Sequence, residues 1–140
     1  MSKKIFFRNI NNTCVIFLIL FGFSYSQDSL EVVSFYNSTN GENWINNENW
    51  LSEKTLNEWY GLTVSDSNIV KIKLKRNNLI GTLPENFGNF NHLTLLDLSD
   101  NNIKGEIPES FQKLKYLDSL DISHNNFNGS IEFIKQSIQR

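Results

Sequence analysis

The sequence predicts an α/β solenoid: short strands stacked coil upon coil, a narrow parallel β-sheet on the concave face, and a helical cap at the N-terminal end. Three observations predict it. The first is a period of 24 residues, at which Asn77, Asn101 and Asn125 recur together with Gly81, Gly105 and Gly129. The second is alternation inside each period. In Leu96-Asp97-Leu98 the apolar side chains share one face and the residue between them takes the other, and Ile72-Lys73-Leu74 and Leu120-Asp121-Ile122 repeat the pattern. The third is composition: 21 of 140 residues are asparagine, which suits turns far better than helix.

Composition also excludes whole classes. A length of 140 residues favours one domain, since domains usually run roughly 100–200 residues. With 20% charged and 39% hydrophobic residues, the chain is neither a highly charged disordered segment nor a polytopic membrane protein. A net charge of -2 carries no sign of nucleic-acid binding. The lone cysteine, Cys14, rules out an intramolecular disulfide and a cysteine zinc cluster.

Residues 1–26 have the layout of a secretory signal peptide. Lys3, Lys4 and Arg8 form a basic start, Cys14 to Phe23 an apolar run of ten, and Ser24-Tyr25-Ser26 a small-residue site for a cut before Gln27. A membrane anchor needs about 20 apolar residues, which this run does not reach. Cys14 stands at the start of the run rather than after it, so a lipid anchor is discounted. Cleavage removes three cations and no acid, leaving a net charge of -5 and no cysteine. An exported protein of that kind rests on packing and hydrogen bonds alone. The expected location is secreted, periplasmic or cell-surface.

Residues 27–68 lack the period and are expected to form the cap. Asp28-Ser-Leu-Glu31 resembles a capping box. Leu30, Val33 and Tyr36, with Phe35 beside them, predict the apolar face of a helix, which Thr39-Asn40-Gly41 ends. Trp44, Trp50 and Trp59 follow. Two readings compete: a ligand-stacking platform for a sugar, or a hydrophobic closure of the solenoid's first coil. The second is favoured because the open end of a stack must be covered.

Residues 69–131 carry three 24-residue units. Ile69, Leu93 and Leu117 match, as do Ile72/Leu96/Leu120, Leu74/Leu98/Ile122 and Leu79/Ile103/Phe127. Leu83/Ile107/Ile131, Pro84/Pro108 and Phe87/Phe111 complete the register. The Asn ladder (Asn77, Asn101, Asn125) is expected to turn inward and satisfy backbone groups that a bend leaves unpaired, each worth about 1–3 kcal/mol. Glycine supplies a conformation that a Cβ disfavours, and proline fixes φ where no ladder N–H is needed. Residues 132–140 depart from the pattern: Glu132 stands where Pro84 and Pro108 do, and Lys135 where Phe87 and Phe111 do. Ile131, Ile134 and Ile138 have helical spacing, so this is a degenerate end or cap, or the chain is a fragment of a longer array.

The unit L-x-x-L-x-L-x-x-N-N-L-x-G-x-I-P, cleanest from Leu93 to Pro108, resembles the plant-type 24-residue form of the leucine-rich repeat family. The pattern of Leu30, Val33, Tyr36, Gly41, Trp44, Trp50 and Trp59-Tyr60-Gly61 is similar to the cap of secreted bacterial members. Plant members usually have a cysteine pair there, and its absence argues against a plant receptor ectodomain. The resemblance implies a non-catalytic module that binds a protein or peptide through its concave strand face.

The outward positions are expected to form four strand ladders: Lys71/Leu95/Ser119, Lys73/Asp97/Asp121, Lys75/Ser99/Ser123 and Arg76/Asp100/His124. Lys73 beside Asp97 and Arg76 beside Asp100 are expected cross-strand pairs worth a few tenths of a kcal/mol, and Asp97→Ala is expected to be nearly neutral. The candidate ligand-binding residues are Lys73, Lys75, Arg76, Leu95, Asp97, Asp100, Asp121 and His124. No catalytic residue, metal ligand or cofactor is expected. The Asp97/Asp121 pair invites glycosidase or calcium readings, but neighbouring acids are common on an exposed ladder. His92 reads as a solvated loop residue. Asn37 and Asn128 head glycosylation sequons, relevant only in a eukaryotic host. Partners other than protein or peptide are not indicated: no nucleic acid, and membrane only through an uncleaved leader or a partner. The alternatives to a binding module are a structural or adhesive cell-surface element and, more distantly, a carbohydrate-active protein.

Overall fold

The computed structural model describes residues 28–129. The expected leader and the segment 132–140 lie outside the described residues. Helix α1 spans Asp28–Ser38. Its buried stripe is rotated from the one expected. Val32 and Phe35 are fully buried and Tyr36 nearly so, whereas Leu30 is 52% exposed and Val33 half-buried. Positions 32, 35, 36 and 39 have helical spacing too. They win because they carry Phe35 onto Phe87, edge to face with ring centroids 5.3 Å apart. The helix ends on the expected turn: the Thr39 hydroxyl donates to the Phe35 carbonyl over 2.6 Å, and Asn40 adopts φ 60° before Gly41.

The segment after α1 holds two 3₁₀ turns, Gly41–Asn43 and Leu56–Glu58, and packs its aromatic rings around Phe35. Trp44 and Trp50 meet edge to face at 4.8 Å, and Tyr36 stacks on Trp50 at 5.8 Å. All three tryptophans are buried, and each indole N–H donates to a main-chain carbonyl: Trp44 to Thr39, Trp50 to Tyr60 and Trp59 to Lys54. Rings with their polar edge satisfied inside the fold do not form an exposed stacking platform.

Strand β1, Leu62–Ser65, pairs antiparallel with β2, Asn68–Lys73. Asp66 and Ser67 join them, both with positive φ as in a two-residue hairpin turn. That hairpin was not expected, because the turn contains neither glycine nor asparagine. Strands β4, Leu95–Asp97, and β6, Ser119–Asp121, then add parallel to β2 in the order β1-β2-β4-β6. Ile72 faces Leu96 and Leu96 faces Leu120, so one coil is one 24-residue period.

The opposite side is built around the glycine and proline positions of the repeat. It carries a second parallel ladder, formed by β3, Ile80–Gly81, β5, Asn102–Glu106, and β7, Asn126–Asn128. The residues leading into each repeat glycine are extended, and in β5 the strand continues past Gly105, so neighbouring coils pair there as well. Between the two sheets lie Ile69, Ile72, Leu74, Leu93, Leu96 and Leu98, all fully buried, with Phe87 stacked on Phe111 at 5.1 Å. Each such side chain contributes about 1.5–3 kcal/mol of hydrophobic stabilisation. Leu120, Ile122 and Phe127 of the third coil are only half-buried.

Candidate functional site

The strand face depends on how each coil leaves its strand. Asn101 sits under that bend. Its amide N–H₂ reaches the carbonyls of Leu74 (2.9 Å), Leu98 (2.8 Å) and Ser99 (3.1 Å). Its oxygen accepts the N–H groups of Asn77 and Leu79, each at 3.0 Å. One side chain therefore satisfies main-chain groups from two coils. Asn125 repeats the pattern on Leu98, Ile122 and Ser123, and accepts from Ile103 N–H. Asn77 has no earlier coil to bind, and instead exchanges two bonds with the backbone of Asn46 (2.7 and 2.9 Å). Of the three, Asn77 is buried, whereas Asn101 and Asn125, expected to be buried too, are half-buried.

The same bend corrects the four expected ladders. β2 stops at Lys73, β4 at Asp97 and β6 at Asp121, so Lys75/Ser99/Ser123 and Arg76/Asp100/His124 lie past the strands. Arg76, Asp100 and His124 all take left-handed backbone, with φ of 53°, 57° and 53°. The turn demands that conformation whatever the side chain, so alternation cannot be extended through it. Inter-coil hydrogen bonding nonetheless continues, from Arg76 N–H to Ser99 and from Asp100 N–H to Ser123, both at 3.0 Å. Ser99, expected to point outward, is fully buried, and Leu95 is half-buried.

Register brings Lys73 beside Asp97 and Asp97 beside Asp121, as expected. The expected Lys73–Asp97 ion pair is not among those of the described residues. Asp97 turns back on its own bend, where one carboxylate oxygen accepts from Ser99 N–H (3.0 Å) and the Ser99 hydroxyl (2.7 Å). Asp121 does the same with Ser123 N–H (3.0 Å) and its hydroxyl (2.6 Å). This Asp-x-Ser clasp was missed from sequence, although its signal was present: Asp97/Ser99 and Asp121/Ser123 recur at the repeat's period.

Charges on the face are organised around the clasps. Lys75 Nζ lies 3.3 Å from Asp100 and Arg76 Nε 3.2 Å from it, so the Arg76–Asp100 pair forms and Lys75 joins it. Desolvation raises the Asp100 carboxyl, but the Lys75 hydrogen bond and the charges of Lys75, Arg76 and His124 together hold it below the ordinary range. The Ser123 hydroxyl and N–H lower the Asp121 carboxyl against a smaller desolvation, with help from Lys75 and Ser99. Lys73 and His124 are exposed. The arrangement is a rigid, hydrogen-bonded surface of alternating charge. Among the described residues no group of three or more His, Cys, Asp or Glu side chains is placed to hold a metal ion. No helix among them is long and apolar enough to cross a membrane.

Comparisons with known proteins agree with this architecture. The family profile described as leucine rich repeat matches residues 67–127. A search of curated proteins finds no match. Among solved structures, the chain is similar to the ectodomain of the receptor kinase GASSHO1/SCHENGEN3 of Arabidopsis thaliana in complex with Casparian strip integrity factor 2. There the identity is 27% and the TM-score 0.70, over 79% of this chain and 14% of that one. It is similar to PEPR1-AtPEP1, at 29% identity and TM-score 0.61, over 71% and 15% of the two chains. The BIR3–SERK2 complex of Arabidopsis thaliana gives 28% and 0.59, over 75% and 60%. This chain thus spans only a fraction of each of these relatives. Residues 67–127, the segment whose Asn bends and parallel ladders have just been described, are leucine-rich repeats of the plant type.

Proposed function

We propose that this protein is a non-catalytic, exported binding module whose strand face docks a protein or peptide partner. The carrying observation is the fixed charge on that face. Lys73, Lys75, Arg76, Leu95, Asp97, Asp100, Asp121 and His124 stand on or beside hydrogen-bonded strands, and five of them, Lys75, Arg76, Asp97, Asp100 and Asp121, are clasped or paired. A surface ordered in advance loses little conformational entropy on docking. Two of the similar structures support the reading, being by their own descriptions complexes, one of a receptor-kinase ectodomain with Casparian strip integrity factor 2 and the other of BIR3 with SERK2. Residues 27–68 are read as the cap, with Asn46 and the tryptophan cluster standing in for the coil that the first repeat lacks. Residues 1–26 are read as a cleaved leader.

The test uses Lys73→Glu with His124→Glu, two exposed positions at opposite ends of the face that leave the Asp-x-Ser clasps intact. Once a partner is captured from the extracellular fraction and purified, titration with the double variant is expected to show about tenfold weaker binding. Unchanged affinity of a variant with unchanged urea midpoint moves the site off the strand face.

A further inference from the structure

A second recognition site lies outside that face, at the leading edge of the strands. A cleft of about 350 Å³ opens there between the β1–β2 hairpin and the approach to the third strand. Ser65 at the end of β1, Asp66 of the hairpin turn and Asn68 at the start of β2 line one side, and His92, Thr94 and Tyr116 the other. Asn68, His92 and Tyr116 occupy one position of successive repeats, 24 residues apart. The repeat therefore builds a ladder here, and its two aromatic members lie parallel: the rings of His92 and Tyr116 are 6.2 Å apart at their centroids with planes within 9°. Tyr116 is 62% exposed, so its ring is open to a ligand.

The polar groups of the cleft all offer acceptors. Asn68 donates one amide N–H to the Asp66 carbonyl at 2.8 Å, and its side-chain oxygen keeps its acceptor capacity. Thr94 commits its hydroxyl proton to the Val70 carbonyl at 2.9 Å, which leaves its lone pairs. The Asp66 carboxylate accepts one bond, from the Ser65 hydroxyl at 3.2 Å, and has capacity for more. Asp66 is the carboxylate of the lining, and no lysine or arginine lines the cleft among the described residues. The Asp66 carboxylate, with no lysine or arginine beside it, therefore favours a ligand that brings donors and positive charge. Acceptors in several directions beside parallel flat rings favour a planar donor over a compact ammonium.

We propose that this cleft holds the guanidinium of an arginine side chain presented by a peptide or protein partner. It shares no residue with the strand-face site, so either assignment can fail while the other stands.

The test is a nuclear magnetic resonance titration of the purified chain with three blocked tripeptides, Gly-Arg-Gly, Gly-Lys-Gly and Gly-citrulline-Gly. The arginine peptide is expected to move the amides of Asn68, Thr94 and Tyr116 saturably. Citrulline keeps the plane and loses the charge, and is expected to bind about threefold to fivefold more weakly. Asp66→Asn is expected to weaken the arginine peptide by a similar factor, and so is Tyr116→Ala with the fold intact by its amide spectrum. Scattered or non-saturating shifts, or equal binding of arginine and citrulline peptides, overturn the site. Equal binding of the lysine peptide overturns the assignment to arginine.

Discussion

Asparagine 101 and aspartate 97 stand four residues apart and do opposite jobs with the same chemistry. Asn101 satisfies main-chain groups of two coils. Asn101→Ala is expected to lower stability by about 1–3 kcal/mol, read as a urea midpoint shift. Asp97 points outward by alternation, yet it holds the hydroxyl of the buried Ser99. The near-neutral Asp97→Ala that alternation implies is therefore replaced by a cost of about 1 kcal/mol. A double-mutant cycle with Ser99→Ala checks it: additive losses would mean that the clasp carries no energy. The left-handed bend makes a further residue-scale prediction. His124→Val places a β-branched side chain at φ 53°, and is expected to destabilise by about 1–3 kcal/mol while His124→Gly does not.

At the scale of elements, the join between α1 and the first repeat is a close backbone contact. Ile80 N–H donates to Thr39 and Thr82 N–H to Ser38, and Gly81 between them has φ 132° with the Ser38 carbonyl directly over the place a Cβ would occupy. Gly81→Ala must push the helix end away, and is expected to cost several times the roughly 1 kcal/mol of an ordinary glycine-to-alanine backbone penalty. Gly105→Ala, which meets only the Thr82 side chain, serves as the comparison in thermal melts. Acid stability belongs to this scale as well. Asp100, Asp121 and Glu58 all have carboxyls lowered in the fold: Asp100 by partners that outweigh its desolvation, Asp121 chiefly by the Ser123 hydroxyl, Glu58 chiefly by that of Thr55. A lowered folded value contributes stability that is present above the ordinary carboxylate range, near pH 4, and is lost as pH falls through the folded value. Urea midpoints are expected to hold level from pH 7 to pH 5 and to decline below about pH 4, less steeply for Asp121→Asn.

The whole molecule is a stack with two parallel ladders and an aromatic cluster at its N-terminal end. Nearest-neighbour contact dominates such a structure, so damage in the central coil is felt on both sides. Leu96→Ala is expected to cost about 2–5 kcal/mol, and Leu120→Ala, at a half-buried position, distinctly less. Export, if it follows the leader, removes Lys3, Lys4 and Arg8 and makes the chain more acidic. Intact-mass analysis of the extracellular protein is expected to show a start at Gln27. Recovery of the uncleaved chain in the membrane fraction would refute that.

Periodicity by itself determined the coil, its register and its core, because residues 24 apart that are all apolar, all Asn or all Gly can share an environment only if the chain stacks on itself. It placed Ile72, Leu96 and Leu120 side by side, put glycine where φ is positive and put the Asn ladder under the bend. What tertiary structure decided are the points where two interactions with equal local claims compete. The face of α1 was ambiguous between two helical stripes until Phe87 selected Phe35. Asp97 had Lys73 beside it and Ser99 two residues on, and the bend's own geometry gave it to the serine. Alternation described Arg76, Asp100 and His124 as strand positions only until the left-handed turn ended the strand before them. The cleft between Asp66 and Tyr116 joins a hairpin turn to two later repeats, a juxtaposition across 50 residues that no local pattern encodes.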